Sequence, residues 1–524
     1  MGERGHLPGA SRPNRQVQAA WEYHQGTNHS WRSVHAGGHF LDWSNQPRTF
    51  KVYPQLSEDK LPADLPSSSV PALEGMAYPG ATGEFIPTRS DLAGLLHYAA
   101  GVTKVGALPG GQMYFRAAAC TGALYHIELY LVCGGLPDLP AGVYHFGIHD
   151  FALRRLREGD HRGALVEASG GEPAVAEAPA IIVATSVYWR NAWKYQARAY
   201  RHAYWDSGTI LANLLAVGAA RRVPLKVVTA FVDGAVNRLL DLEDGKEVAL
   251  QLVAVGRSPG QQVPPPPEAE PLSLEVAPYS RREVDYPAMG RMHAASCLGS
   301  PEEVRELWGV PPAKLNGPGS SARLFPLEAV PEADLPQDTI ESVILRRGSS
   351  RRFRRAPIAY SQLSTMLDRA CTGMAADFPG GAGATLNQLY LIVNDVDGLP
   401  AGSYVFHRGF SVLEQLQEGD FRDRAGYLDL GQELAADAGV NVYFLVDLHA
   451  ALERYGNRGY RMSQLEAAIM GGRLYLGAYA QGLGATGLTF FDDEVTEFFS
   501  PHAQGKSVMF LVALGKPASR RRRA

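Results

Sequence analysis

Short apolar runs rich in β-branched and aromatic residues are spaced along the chain by Gly- and Pro-containing turns, and one long apolar stretch stands among them in each half. The short runs predict strands at 127–132, 180–188, 225–231 and 248–255, and again at 388–393, 440–446, 487–491 and 508–514. The long stretches, 206–222 and 463–481, predict helices, and a helix that is apolar all round belongs in a core. Strands and helices mix without strict alternation, so the expected fold class is α+β, an antiparallel-rich mixed sheet flanked by helices.

The pattern repeats. Leu139-Pro-Ala-Gly142 recurs as Leu399-Pro-Ala-Gly402, Leu156-Arg-Glu-Gly-Asp160 as Leu416-Gln-Glu-Gly-Asp420, Ala199-Tyr-Arg201 as Gly459-Tyr-Arg461, and Thr229-Ala-Phe231 as Thr489-Phe-Phe491, always 260 positions on. A constant offset of that size describes one fold used twice rather than a short-period solenoid. Between the copies lie four consecutive prolines, Pro264 to Pro267, and a Pro-, Gly- and Ser-rich stretch, where a short helix is expected near 301–307. The division expected is an N-terminal extension (1–60), a first domain (61–257), a Pro-rich linker (258–338), a second domain (339–517) and a basic tail (518–524).

Composition narrows the function classes. The 524 residues are 45% hydrophobic and 20% charged with a net charge of -4, which is ordinary globular usage and gives no general affinity for nucleic acid. No apolar run has the roughly 18 residues of a membrane span, and residues 1–18 lack the apolar core of a signal peptide. Cys120, Cys133, Cys297 and Cys371 form no CxxC pair, which fits a reducing cytoplasm. His24, His29, His35 and His39 have no cysteine or carboxylate partner nearby in sequence, so no metal is expected there. Arg520 to Arg523 read as a solvated end.

Four segments could carry chemistry. In Arg347-Gly-Ser-Ser-Arg351 alternate positions face one way, so Arg347, Ser349 and Arg351 could converge on a phosphate; a solvated basic stretch has the same pattern. The loop Ala119-Cys-Thr-Gly-Ala-Leu124 has small side chains that admit a flat ligand to the backbone, or simply feeds a core strand. Gly482-Leu-Gly-Ala485 stands between a buried helix and a strand, where a helix C-cap is explanation enough. Lys194-Tyr195, followed by Arg198, Tyr200 and Arg201, could do acid–base work if burial or neighbouring cations lower a pKa; an amphipathic surface helix with snorkelling cations is the plainer reading.

Together these segments resemble the FMN-dependent nitroreductase superfamily, and within it the thiazole/oxazole (azoline) dehydrogenase branch often called SagB-type. Arg347, Ser349 and Arg351 match the superfamily's phosphate motif, and Lys516, after the last strand, stands where another phosphate-binding cation is often found. The loop Ala119, Cys120, Thr121, Gly122, Ala123, Leu124 resembles the branch's P-S-A-G-A-L flavin loop, with Ala for Pro and Cys for Ser. Gly482, Leu483, Gly484 and Ala485 resemble the loop beneath the flavin ring, Lys194-Tyr195 with Tyr200-Arg201 the K-Y…Y-R signature, and Tyr23-His24 with Lys51-Val-Tyr-Pro54 the N-terminal extension.

The resemblance implies two tandem nitroreductase-like domains forming within one chain the dimer that relatives make from two, with FMN between them. The first half has no basic residue between Pro79 and Pro87; the second has Gly380-Gly-Ala-Gly-Ala-Thr385 in place of the flavin loop and Arg454-Tyr455 in place of Lys194-Tyr195. Each half keeps what the other lacks, so one FMN per chain is expected. The implied reaction is hydride transfer from an azoline-type or other peptide-derived small molecule to FMN, with Lys194 or Tyr195 taking the proton. An NAD(P)H-dependent nitro or quinone reductase and a non-catalytic flavin-binding subunit of a biosynthetic complex stay open, as do biosynthetic partners and further oligomerisation.

Overall fold

The computed structural model describes residues 12–36, 39–78, 80–108, 111–311, 314–378 and 385–518. The first half is built on β1 (Asp59–Lys60), β2 (Ile127–Cys133), β3 (Gly142–Gly147), β4 (Ala152–Glu158), β5 (Ala180–Val187), β6 (Leu225–Val228) and β7 (Glu247–Val255). They form an antiparallel sheet in the order β1-β4-β3-β2-β5-β7-β6. The second half has β8 (Arg323–Pro326), β9 (Phe353–Arg354), β10 (Asn387–Val393), β11 (Gly402–His407), β12 (Val412–Glu418), β13 (Val440–Val446), β14 (Gly484–Gly487) and β15 (Ser507–Pro517). Its order, β8-β12-β11-β10-β13-β15-β9 with β14 paired to β15, repeats the first. The offset of 260 carries through: β2 and β10, β3 and β11, β4 and β12, β5 and β13, β7 and β15 begin that far apart. Two tandem α+β domains of one fold are therefore what the chain forms.

Two long helices hold the halves together. Ala199–Ala220 is buried along its whole length, and Arg458–Ala480 lies against it. Position 208 meets its own counterpart 468, and 212 meets 472: a Cβ on Gly208 would lie 2.5 Å from the Ala468 Cβ, and one on Gly472 2.5 Å from the Ala212 Cβ. Residues facing their own equivalents are the mark of a two-fold interface, here closed within one chain.

The same two-fold governs the buried charges. Arg198 and Arg201 of the first half reach Asp492 of the second, the former at 2.9 Å. Their counterparts Arg458 and Arg461 reach Asp233 of the first, at 2.8 and 2.7 Å. Burial alone would raise the Asp492 carboxyl, but Arg198 and Arg201 outweigh it and hold the group at about 2. Because its folded value lies below the ordinary carboxylate value of about 3.9, the stabilisation is complete above that value and fades as pH falls towards about 2. Asp492→Asn should lower stability by about 3–5 kcal/mol, since it strands two buried guanidiniums, and should flatten the loss of Tm between pH 5 and 2 that thermal unfolding of the unaltered chain shows.

Several expectations change. The hairpin strands β3 and β4 and their counterparts were not among the predicted strands. Strand 225–231 ends at Val228, and of the predicted 487–491 strand only Gly487 is extended in the sheet, as the last residue of β14 (Gly484–Gly487). The helix predicted from 206 begins at Ala199. The surface helix read over Trp193 to His202 is instead a helix, Tyr188–Tyr195, broken at Gln196 (φ 51°) before the long helix starts, and Arg198, Tyr200, Arg201 and His202 are buried. The Pro-rich segment, read as a semi-rigid spacer with a short helix near 301–307, has that helix and packs against both halves. It carries helices Pro287–Ala295 and Pro301–Arg305, buries Met289, Met292 and Ser296, and gives the Ser296 carbonyl to Arg458. The N-terminal segment spans both halves: Tyr23 donates to the Ala197 carbonyl, Asn14 to that of Tyr455. His24, His29, His35 and His39 each have a different hydrogen-bond partner, respectively Tyr460, Thr489, Trp31 and Trp193. Arg520 to Arg523 lie outside the described residues. Among the described residues no helix is long and apolar enough to cross a membrane.

Candidate functional site

The loop Ala119 to Leu124 is held by a carboxylate inside the long helix. Asp206 accepts from the Cys120 thiol at 2.9 Å, from the Thr121 amide at 2.9 Å and hydroxyl at 2.8 Å, and faces His126 Nε2 at 3.0 Å. Thr209 donates to the Ala119 carbonyl, and Asn191 to the Thr121 hydroxyl. So fastened, the loop takes positive φ at Gly122 (60°), Ala123 (54°) and Tyr125 (48°). Left-handed backbone at non-glycine residues persists only where the surroundings over-determine it, and it concentrates at ligand sites. Burial first, and then Asp206, pushes the Cys120 thiol well up; it stays protonated and donates as a hydroxyl would, so Cys for Ser keeps the loop's hydrogen bonding without a reactive thiolate.

Lys194 and Tyr195 end the helix beside this loop. A Cβ on Gly122 would lie 2.7 Å from the Tyr195 hydroxyl, so the phenol sits directly over the glycine. The His202 ring meets Tyr195 edge-on at 4.5 Å, and the Lys194 ammonium lies 5.2 Å from the Tyr195 ring centre. Burial, then Asp206 and Cys120, raise the Tyr195 phenol. This corrects the expectation of neighbouring cations lowering a pKa: Arg198 and Arg201 turn to Asp492 instead, so nothing offsets the burial.

Arg347 reaches this region from the other half. Its Nε donates to the Ala117 carbonyl at 2.9 Å and its Nη2 to the Arg116 carbonyl at 3.2 Å, just before Ala119. Ser349 lies 3.4 Å from the Tyr475 hydroxyl, which also accepts from the Gly487 amide. The Ser350 amide donates to the Ala485 carbonyl, and a Cβ on Gly484 would come within 2.2 Å of the Ser350 hydroxyl. Gly482, with φ 71°, closes the long helix through Leu483 N–H to Ala478 and its own N–H to Tyr479, a Schellman cap. Within one glycine-rich turn, then, Gly482 ends the helix and Gly484 gives room to the Arg347–Arg351 segment. Arg351 is exposed; Lys516 is half-buried, on β15 opposite Arg354 and next to Gly515, the β14 partner of Gly484.

These donors suit a phosphate. Among the described residues Arg347 has carbonyl partners but no carboxylate, and burial lowers its guanidinium pKa. Arg347, a cation without a counter-charge, calls for an anion.

Near the symmetry-related position the two halves bond to each other directly. Val227 N–H donates to the Ala375 carbonyl at 2.9 Å, and the Asp377 carboxylate takes the amides of Thr229 and Ala230 at 2.7 Å each and the Thr229 hydroxyl at 2.9 Å. Glu466, the counterpart of Asp206, holds the amides of Leu386 and Asn387. Tyr455, the counterpart of Tyr195, donates to the Val310 carbonyl of the linker, and Arg454 to its own helix at Ala450. Gly380 to Ala384 lie outside the described residues, as does Pro79. Asp206, Asn191, Tyr475 and Asp377 were not singled out as site residues from sequence. Only Asp206 carried a signal, as a carboxylate opening an otherwise apolar helix.

The nitroreductase family model matches residues 147–257 and 344–516, together more than half the chain. A solved putative nitroreductase from Anabaena variabilis is 25% identical, with a TM-score of 0.75, covering 95% of this chain and 99% of its own. A putative nitroreductase of Methanocaldococcus jannaschii is 26% identical over 171 residues, 31% of this chain and 85% of that protein. The E. coli microcin synthetase McbBCD complex with truncated pro-MccB17 bound includes a chain 17% identical, with a TM-score of 0.30, covering 47% of this chain and 94% of that one. The chain belongs to the nitroreductase family and is an oxidoreductase of that family.

Proposed function

We propose that the chain binds one FMN in the composite site and works as an FMN-dependent dehydrogenase on an azoline-type or other peptide- or natural-product-derived small molecule. The observation that carries the reading is the meeting of Arg347 from one half with the Arg116 to Leu124 segment of the other, over which Tyr195 sits. Arg347, Ser349, Arg351 and Lys516 would hold the phosphate, and Ala119 to Leu124 and Gly482 to Ala485 would bracket the remainder. Bound FMN would supply two-electron redox chemistry. Lys194 would take the proton that leaves the substrate, while Tyr195, whose raised pKa keeps it protonated, would donate a hydrogen bond to it. The half-buried Lys194–Tyr195 edge of the helix would face the substrate.

A plain NAD(P)H-dependent nitro or quinone reductase would use the same cradle without a Lys–Tyr pair, and a scaffold subunit would turn nothing over. Anaerobic reduction of the purified yellow protein separates the three. Bleaching by a heterocycle-containing peptide and not by NAD(P)H is the expected outcome. Fast bleaching by NAD(P)H alone assigns the reductase, and bleaching by neither the scaffold.

A further inference from the structure

Away from the composite site, two groups of three metal-capable side chains stand out among the described residues: Asp233, His293 and Cys297, and His407, Glu414 and His502. In the first, Asp233 already holds two guanidiniums, and Arg461 covers both His293 Nδ1 and the Cys297 sulfur, so no cation has room. The second is of another kind. His407 ends β11, Glu414 lies on the neighbouring β12, and His502 comes from the turn between helix Asp492–Phe498 and β15. One ligand atom from each lies within 4.8 Å of the other two.

Hydrogen bonding fixes what those atoms present. His407 Nδ1 lies 3.2 Å from the Asn316 carbonyl, which can only accept, so Nδ1 carries the proton. In the neutral ring Nε2 is then a bare lone pair, and it points at a Glu414 carboxylate oxygen 2.7 Å away. Two acceptors face to face need a positive charge: a second ring proton, or a cation bound to both. His502 supplies the third donor. Its Nδ1 lies 2.9 Å from the Tyr390 hydroxyl, which has the Gln388 side-chain oxygen and the His502 carbonyl, each at 3.4 Å, as acceptors for its own proton. With Nδ1 engaged by Tyr390, Nε2 is the ring nitrogen left free to coordinate, and a His502 ligand atom lies within 4.8 Å of those of His407 and Glu414. Ring N–H groups tied to a backbone carbonyl and a phenol are the outer partners that orient metal-binding histidines. His407 is buried and Glu414 and His502 are half-buried, so an ion could enter and keep a water.

We propose that His407, Glu414 and His502 bind one divalent transition-metal ion. Two imidazoles and a carboxylate are the donor set of three-ligand zinc sites, with water in the fourth position. Zinc–ligand bonds of about 2.0–2.2 Å put donors roughly 3.3 Å apart, within reach of small side-chain rotations from the present spacing. The ion would clip the β11–β12 hairpin to the turn leading into β15, the strand that bears Lys516 and pairs with β14. It would act through stability and not through the reacting atoms. The inference stands apart from the proposed reaction.

The test uses untagged full-length protein, stripped with a chelator and returned to metal-free buffer, then titrated with zinc sulfate against a chromophoric competitor and followed by thermal unfolding. The unaltered chain should take up one tight equivalent and gain several degrees in Tm. His502→Gln and Glu414→Gln should each weaken that equivalent by about 100-fold and abolish the Tm gain, while His35→Gln, at an exposed N-terminal position, should change neither. No tight equivalent in the unaltered chain, or an equivalent that survives both site substitutions, overturns the proposal. Should His407→Gln fail to fold, the two half-buried positions still decide.

Discussion

Replacing Arg347 with alanine should leave the purified chain almost colourless. A guanidinium–phosphate contact of two charge-assisted hydrogen bonds, each of about 1.5–3 kcal/mol, converts to FMN binding weaker by about 10²- to 10⁴-fold. Arg347 also donates to the Ala117 and Arg116 carbonyls, so some lost affinity would reach the flavin through a shifted loop. Arg351 separates the two contributions. It is exposed, so Arg351→Ala should weaken FMN binding while Tm stays within a degree or two. Fluorescence quenching of FMN titrated with apoprotein reads both variants. Unchanged affinity in both would mean that the phosphate is held elsewhere.

Lys194→Ala should behave oppositely, with flavin retained and turnover reduced by about 10²- to 10⁴-fold, the usual scale for losing a general base. Lys194 is half-buried and shows no ion pair among the described residues, so stability should hardly change. Tyr195→Phe should also lower turnover with flavin retained, since the raised pKa keeps the phenol a hydrogen-bond donor and phenylalanine has none. Full turnover in Lys194→Ala would remove this residue from the chemistry.

The repeat was the most legible feature, because one offset survives in turn motifs that fix hairpin geometry. The hairpin strands beside those motifs were not, since Gly142 to Phe146 and Gly402 to Phe406 read first as turn punctuation. The segment Leu488 to Phe491 is apolar enough for a strand, but its side chains enter the core after β14 has left the ladder at Gly487. At the site, the Arg347, Gly122 and Gly484 segments could be picked out from sequence because each has an unusual local requirement: a charge pattern, a positive φ, a missing Cβ. Arg198 and Arg201 were misplaced because their partner, Asp492, lies nearly 300 residues away and belongs to the other half. Asp377 was invisible for the same reason: its amide partners, Thr229 and Ala230, are found only once the two halves pack. Local rules find the parts of a composite site, whereas pairing across the two-fold depends on contacts no local pattern records.

The ratio of released FMN to polypeptide, measured after saturating reconstitution and gel filtration, bears most directly on whether the two repeats share one cradle. One FMN per chain is expected, because the first half has no counterpart of the Arg347–Arg351 segment and the second none of the Ala119–Leu124 loop. Two per chain, or none, would contradict it.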